Sequence, residues 1–281
     1  MKNKHLILGA AGQLGKEFVN YCTKHNIDYL APDEQAGDIT NTEAMQALIS
    51  QYKPTYVINC AAYNAVDNAE EDKETALLVN AIAPGQLANV CEKNQIKLVH
   101  FSSDYVFDGE KQDLYNEQDE PQPLNVYGLS KWQGEQRVQQ NDNHLIFRLS
   151  WVIGPGQQNF IYKLRQWASN NKVLKISSDE ASVPTFTFDI VEITMKSLGA
   201  NLSGTFHLTN SNYSSRFELA RAFIEISGMN NVIVPVAMSS FVTKAARPLF
   251  SAMSNEKLAT TLKYEIPTWQ ESLKKYVKEY L

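Results

Sequence analysis

The chain has 281 residues, 43% of them hydrophobic and 20% charged, so it can bury a core of ordinary size without disulfides or a structural metal. Its formal charge of −5 comes with no cluster of Lys and Arg, which excludes the concentrated basic face of a nucleic-acid binder but not a local anion site. Cys22, Cys60 and Cys91 are far apart in apolar stretches and read as buried free thiols, and no group of residues has metal-ligand spacing.

Met1-Lys2-Asn3-Lys4-His5 runs straight into a strand without the apolar region of a signal peptide. No stretch reaches the roughly 20 apolar residues of a membrane span, and the expectation is a cytoplasmic protein. Residues 5–9 form a short apolar strand ending in glycine, and Leu14, Phe18, Tyr21, Cys22 and His25 follow at helical spacing. A second strand is expected at 28–31. Thr40 and Glu43 have the form of a capping box for a helix carrying Met45, Leu48, Ile49 and Tyr52 on one face. Further strands are expected at 55–59, 97–102 and 144–150, with helices near 70–93 and 125–140. Alternating helices and continuously apolar strands imply a parallel sheet covered on both faces. With right-handed crossovers this is a Rossmann-like, doubly wound α/β fold.

After residue 151 the rhythm changes. Ser215 and Glu218 can cap a helix carrying Phe217, Ala220, Phe223 and Ile224, which Gly228 would end; Thr268 and Glu271 can cap the last helix. Short strands near 173–176 and 205–208 complete a smaller mixed α/β lobe. Residues 1–150 thus read as a dinucleotide-binding domain and 151–281 mainly as a substrate lobe, with some segments free to return to the first domain and a cleft between the two.

Gly9-Ala10-Ala11-Gly12-Gln13-Leu14-Gly15 lies between the first strand and the first helix. Gly9 permits the sharp turn, Gly12 lets backbone N–H groups approach a pyrophosphate, and Gly15 lets helix and sheet pack closely. The spacing is one residue longer than the usual dinucleotide fingerprint. Its place at the first strand–helix junction therefore supports the assignment as much as the glycines do, against the plain alternative of a tight turn.

Tyr127-Gly128-Leu129-Ser130-Lys131 puts a phenol and an ammonium on one helical face. A phenol has a reference pKa of about 10, and a neighbouring Lys⁺ lowers it, giving a proton donor for a reacting carbonyl. An exposed Lys one turn from a half-buried Tyr is the plain alternative. Phe101-Ser102-Ser103-Asp104-Tyr105-Val106-Phe107-Asp108-Gly109 favours the chemical reading, because it stands at the carboxyl end of an expected core strand, where open parallel sheets bind ligands. A hydroxyl there can hold the oxygen that Tyr127 protonates.

These three motifs, in this order, resemble the extended short-chain dehydrogenase/reductase superfamily. More specifically, Val57-Ile58-Asn59-Cys60-Ala61-Ala62-Tyr63-Asn64-Ala65-Val66-Asp67-Asn68-Ala69-Glu70 resembles the dTDP-4-dehydrorhamnose reductase family. So do Pro123-Leu124-Asn125-Val126-Tyr127-Gly128, Arg148-Leu149-Ser150-Trp151-Val152-Ile153-Gly154, Asn159-Phe160, Pro184-Thr185 and Arg247-Pro248. The resemblance implies that Gly12, Gln13 and Leu14 contact the cofactor phosphates, that Asp38 and Ile39 line the adenine side, and that Ala61, Ala62 and Tyr63 lie along the cofactor. It implies Ser103, rather than Ser102, as the catalytic hydroxyl, Tyr127 as general acid and Lys131 as its partner, with Tyr127 and Lys131 also against the cofactor and Lys131 on the nicotinamide ribose. Asp104 and Trp151 match positions that contact the sugar nucleotide. Arg247 is a candidate for the nucleotide diphosphate, with a surface arginine as the equal alternative.

The implied activity is NAD(P)H-dependent reduction of the 4-keto group of a nucleotide-linked 6-deoxyhexose. The first candidate is dTDP-4-dehydro-L-rhamnose, a step toward cell-surface polysaccharide precursors, in a protein that can form a homodimer. Two segments depart from the family pattern and leave the sugar open: Ala181-Ser182-Val183 ahead of Pro184-Thr185, and Leu249-Phe250-Ser251-Ala252-Met253-Ser254. A third departure concerns the cofactor. Ala31-Pro32-Asp33-Glu34-Gln35-Ala36-Gly37-Asp38 holds three acids and no Lys or Arg, so Asp33 can bond a free ribose 2′-OH while a 2′-phosphate meets like charge; NADH is favoured over NADPH. Two alternatives stand beside this reading: an epimerase or dehydratase of the same superfamily, which retains its cofactor, and a non-catalytic subunit similar to the regulatory subunit of methionine adenosyltransferase. The presence of Ser103, Tyr127 and Lys131 together favours an enzyme.

Overall fold

The structure, a computed structural model, describes residues 3–281; Met1 and Lys2, where the reading of the N-terminus began, lie outside the described residues. The apolar runs of the first half become strands: β1 (Lys4–Leu8), β2 (Asp28–Leu30), β3 (Tyr56–Asn59), β4 (Lys97–Ser103) and β5 (His144–Leu149). Between them run α1 (Gln13–Lys24), α2 (Thr42–Tyr52), α3 (Val66–Ala69), α4 (Lys73–Leu77), α5 (Ala83–Lys93) and α6 (Val126–Val138). Leu6 and Leu8 face one side and Ile7 the other, and all three are buried, which is why the strands read as unbroken apolar runs. On one face Ile7, Ile58, Val99, Phe101 and Phe147 pack with Phe18 of α1; on the other Leu6, Leu8, Val57, Leu98 and Ile146 pack with Met45, Ile49, Leu87 and Cys91.

The second half contributes β6 (Val152–Ile153), α7 (Phe160–Asn170), β7 (Val173–Ser177), β8 (Ala181–Ser182), β9 (Thr185–Phe186), α8 (Thr187–Gly199) and β10 (Gly204–His207). It continues with β11 (Ser214–Ser215), α9 (Arg216–Ile226), β12 (Val232–Val236), α10 (Glu256–Leu262) and α11 (Trp269–Tyr280). Ile153, Ile161, Leu164, Phe186, Leu219, Phe223, Trp269 and Leu273 form a separate core here. One expectation fails. The strand placed at 205–208 in the smaller lobe is the sixth strand of the main sheet, because β10 pairs in parallel with β5 and carries Phe206, with Leu208 just after it, into the core of the first half. Ile190, Val191 and Ile193 of α8 and Leu258 of α10 return to the same core. The partner of β7 is β12, which carries Pro235 and pairs on one side only, as an edge strand tolerates.

Local end signals held at two helices and failed at one. Ser215 with Glu218 and Thr268 with Glu271 form full capping boxes, and Gly228 follows α9 at φ +66°. Thr40 does not cap α2: its hydroxyl donates to Asp38 Oδ1 at 2.7 Å, and Asn41 takes the cap by accepting from Ala44 N at 3.0 Å. The Asp38 turn captures Thr40 one residue too early. Cys22 and Cys91 are buried free thiols, whereas Cys60, just past β3, is half-buried. No helix among the described residues is long and apolar enough to cross a membrane.

The six-stranded order is β2-β1-β3-β4-β5-β10, all parallel. From β1 the chain first moves outward to β2, then returns past β1 to β3. The loops leaving β1 and β3 therefore diverge, and a crevice opens at their carboxyl ends, where α/β sheets bind ligands.

Candidate active site

Two glycines bring the start of α1 against the end of β3. Gly9 has φ +70°, and a Cβ on it would stand 2.5 Å from Ala61 N; a Cβ on Gly15 would stand 2.3 Å from Gly9 O. Gly12 is the N-cap of α1 and no side chain caps the first turn, so its N–H groups are open to an anion. Opposite them runs 60–63. Ala61 N donates to Asn59 Oδ1 at 3.1 Å, and Tyr63 exchanges two bonds of 2.9 Å with the Asn80 amide. Leu14 packs against the core, and the Gln13 side chain points to the second lobe, donating to Val152 O at 3.2 Å. Gln13 thus has only its backbone to offer a phosphate. In the loop after β2, Asp33 Oδ1 accepts from Ala36 N at 2.8 Å and Asp38 Oδ1 from Thr40 N at 2.9 Å, so both acids shape their own turns. The Ile39 side chain is buried in the core and likewise leaves only backbone facing outward.

Ser103 closes β4. Its Oγ donates to Asp104 Oδ1 at 3.1 Å and accepts from Tyr105 N at 3.2 Å, and Ser103 stands near enough to the Tyr127 phenol to pull its pKa down. Tyr127 sits in the first turn of α6, whose N-cap Asn125 accepts from Gly128 N at 2.7 Å and is itself tied to Ala246 O at 2.7 Å. α6 comes very close to residues 104–106, since a Cβ on Gly128 would stand 2.1 Å from Tyr105 O. Tyr127 is 9% exposed and Lys131 2%. Burial pushes the phenol up to about 12, against the pull of Ser103. Burial lowers Lys131 to about 8, with Glu135 opposing. The expectation that Lys131 lowers the phenol pKa is therefore corrected. Its Nζ turns to the sheet and donates to Phe101 O at 2.6 Å, and desolvation outweighs any help to the phenolate. The result is a neutral phenol, the form a proton donor requires.

One turn beyond Lys131, Glu135 is fully buried and bound by Arg148 through Nε at 3.0 and 3.1 Å and Nη2 at 2.7 Å. The guanidinium also lies over the rings of Phe107 and Trp132 at 5.2 and 5.8 Å. This pair fastens the Tyr127–Lys131 face of α6 to β5.

Beside Ser103, Asp104 is buried and accepts the hydroxyls of Ser103, Ser182 at 2.9 Å and Ser251 at 2.6 Å. Burial raises its pKa while the three hydroxyls oppose the rise. Ser182 and Ser251 come from the two departing segments, so both departures converge on one carboxylate. Trp151 has φ +37°, a strained value for a tryptophan, and the Arg216 guanidinium stacks 3.6 Å over its ring. Glu180 Oε1 stands 3.8 Å from Arg216 Nη2. Arg247 is neither a surface arginine nor a free cation: it binds Asp67 Oδ1 at 3.1 Å, Asp67 Oδ2 at 2.7 Å and Ala245 O at 3.2 Å. Arg216 and Arg247 both lie near the Tyr105 phenol, which feels the charge of each.

The profile of the RmlD substrate binding domain matches residues 3–281. The chain belongs to the RmlD substrate binding domain family. A dTDP-4-dehydrorhamnose reductase of Burkholderia thailandensis is 33% identical over 297 residues, with 99% of each chain covered. The crystal structure of a dTDP-4-dehydrorhamnose reductase from Clostridium acetobutylicum superposes with a TM-score of 0.94 at 34% identity over 98% of both chains. That of the Bacillus anthracis reductase, in complex with NADP, gives 0.96 at 32% identity over 99% of this chain and all of the other.

Within this RmlD-family fold several residues had no individual mark in the sequence. Asn80 lies in a turn of π-helix, Leu78–Ile82, and also donates to Ser130 Oγ at 3.0 Å, joining the 60–63 loop to α6. A π-turn adds a residue to the helical repeat, and that slip in the apolar period is the only sequence sign it leaves. The Glu135–Arg148 pair, the serines around Asp104 and the Arg216 stack join residues distant in sequence. Among the described residues no group of three or more His, Cys, Asp and Glu could hold a metal ion.

Proposed function

We propose that this chain reduces the 4-keto group of a nucleotide-linked 6-deoxyhexose, with dTDP-4-dehydro-L-rhamnose the first substrate to test, in the making of polysaccharide precursors. The observation that carries the reading is the meeting of Ser103 and Tyr127 at the carboxyl end of β4, on a sheet whose switch point holds the uncapped start of α1. The residues fit a nicotinamide dinucleotide: the Gly9 and Gly15 contacts draw the turn after β1 tight against residues 60–61, and Gly12 leaves the uncapped first turn of α1 open to a pyrophosphate. When bound, the cofactor supplies hydride to the ketone carbon. Tyr127 gives its hydroxyl proton to the ketone oxygen, and Ser103 turns from Asp104 to donate to that oxygen as charge develops. Ser182 and Ser251 keep Asp104 satisfied when Ser103 leaves it. Lys131 would hold the nicotinamide ribose rather than the phenolate. Oxidation of NADPH or NADH against a panel of 4-keto nucleotide sugars tests the proposal. No turnover, together with stoichiometric NAD that survives dialysis, would point to an epimerase instead.

Trp151 bears on the sugar nucleotide. A large ring held by a cation offers apolar area to a sugar or base. Trp151→Ala should raise KM for the sugar nucleotide about tenfold or more, with a smaller change for the cofactor. Equal weakening for both ligands would make Trp151 a packing residue.

The finer choice of cofactor is set around Asp33–Asp38. The acidic loop speaks for NADH, since a 2′-phosphate would meet Asp33 and Glu34 with no basic residue beside them in the loop. The NADP complex of the Bacillus anthracis relative speaks for NADPH. The loop argument expects NADH to give kcat/KM at least equal to that of NADPH at the same sugar concentration. A tenfold preference for NADPH, about 1.4 kcal/mol, would overturn it.

A further inference from the structure

Residues 151–156, which carry the chain from β5 into the second lobe, are fastened by four helices. From α1, Gln13 Nε2 donates to Val152 O at 3.2 Å. From α11, the Tyr276 hydroxyl donates to Gly154 O at 3.2 Å. From α8, Thr187 packs so closely that a Cβ on Gly154 would stand 2.4 Å from its Oγ1 and 3.0 Å from Gln13 Cγ. At the start of α7 stands Asn159, which is 5% exposed. Its Oδ1 caps that helix by accepting from Tyr162 N at 3.0 Å. Its Nδ2 donates to Gln13 Oε1 and Gly154 O, both at 2.8 Å, and to Gly156 O at 3.3 Å.

Gln13 is the first residue of α1, at the end that faces the crevice, and the turn it begins has no capping side chain. Both ends of its side-chain amide are committed to the second lobe. The direction of the first N–H groups of α1 is thereby set from across the cleft, and hydrogen bonds weaken steeply when their donors tilt. Asn159 is the hub of this arrangement, since two amide hydrogens serve three acceptors and one of those acceptors is Gln13.

We propose that Asn159 is a positioning residue for the dinucleotide: by holding the Gln13 amide it fixes the first turn of α1 against the pyrophosphate and ties that turn to the segment that carries Trp151. Asn159 acts only through Gln13. The proposal rests on the reading of the glycine loop as a nicotinamide-dinucleotide site.

Asn159→Ser separates the two tasks of this side chain. Serine caps a helix as well as asparagine does but is too short to reach Gln13. The variant should raise the Kd for NADPH and NADH about tenfold in a fluorescence titration without sugar, the scale of one net hydrogen bond. KM for the sugar nucleotide should change less than twofold. Gln13→Met breaks the same link from the other side while leaving the α7 cap and the bond to Gly154 in place, and it should reproduce the cofactor loss. A general loosening would worsen both constants together and lower Tm, and that pattern in both variants overturns the proposal. So does wild-type cofactor affinity in either variant. Failure of the wild-type chain to bind either dinucleotide would overturn the functional reading, and this inference with it.

Discussion

Replacing Tyr127 by Phe should lower kcat by about 10² to 10⁴ while the cofactor Kd and Tm stay close to wild type. The ring is buried between α6 and residues 104–106, and phenylalanine fills that space equally well. Only the hydroxyl is lost, and with it the proton that Tyr127 would give. Burial keeps that proton in place across the neutral range, because it pushes the phenol up to about 12. Steady-state kinetics with the natural substrate, alongside a cofactor titration and a melt, separate the outcomes. Near-normal turnover would remove Tyr127 from the mechanism.

Arg148→Met is expected to cost about 3–5 kcal/mol of stability, a large share of the roughly 5–15 kcal/mol that holds a typical domain folded. The loss comes mainly from what is left behind. Glu135 has no exposed surface and three of its contacts are to this guanidinium, so the variant strands a carboxylate in the core. Removing both charges in Arg148→Met/Glu135→Leu should recover most of the loss, because no buried charge then remains. Urea unfolding of the two variants measures this. A loss below about 1 kcal/mol in the single variant would mean that the Glu135 charge is not held by Arg148.

The parts of this molecule that could be read from sequence are those fixed by residues near one another in the chain. The apolar runs of β1, β3, β4 and β5 are too short for buried helices and fit doubly covered strands, and the glycines of the first turn and the Tyr127–Lys131 spacing are equally local. What escaped the sequence depends on who packs against whom. Gly204-Thr-Phe-His is a plausible strand in either lobe, and only Phe206 meeting the core beside Phe147 places it next to β5. Arg247 looked free because its partner, Asp67, lies far away in the chain, beside α6. Lys131 looked like a neighbour of the phenol because helical spacing gives the face but not where a long side chain turns. Even the α2 cap was decided by competition, with Asp38 capturing the hydroxyl that would have served the helix.

The late position of β10 has a consequence for synthesis. A ribosome delivers the chain from its N-terminus, and the first five strands of the sheet can assemble once His144–Leu149 has emerged. Their outer edge, along β5, then stays unpaired while the whole of β6 to α8 is made, and Gly204–His207 arrives only afterwards to cover it. In that interval an apolar, parallel edge is open to other nascent chains, the situation in which strands associate wrongly. A message truncated before residue 204 would leave that edge permanently exposed. The completeness of the dinucleotide-binding sheet is thus a checkpoint on having translated most of the protein.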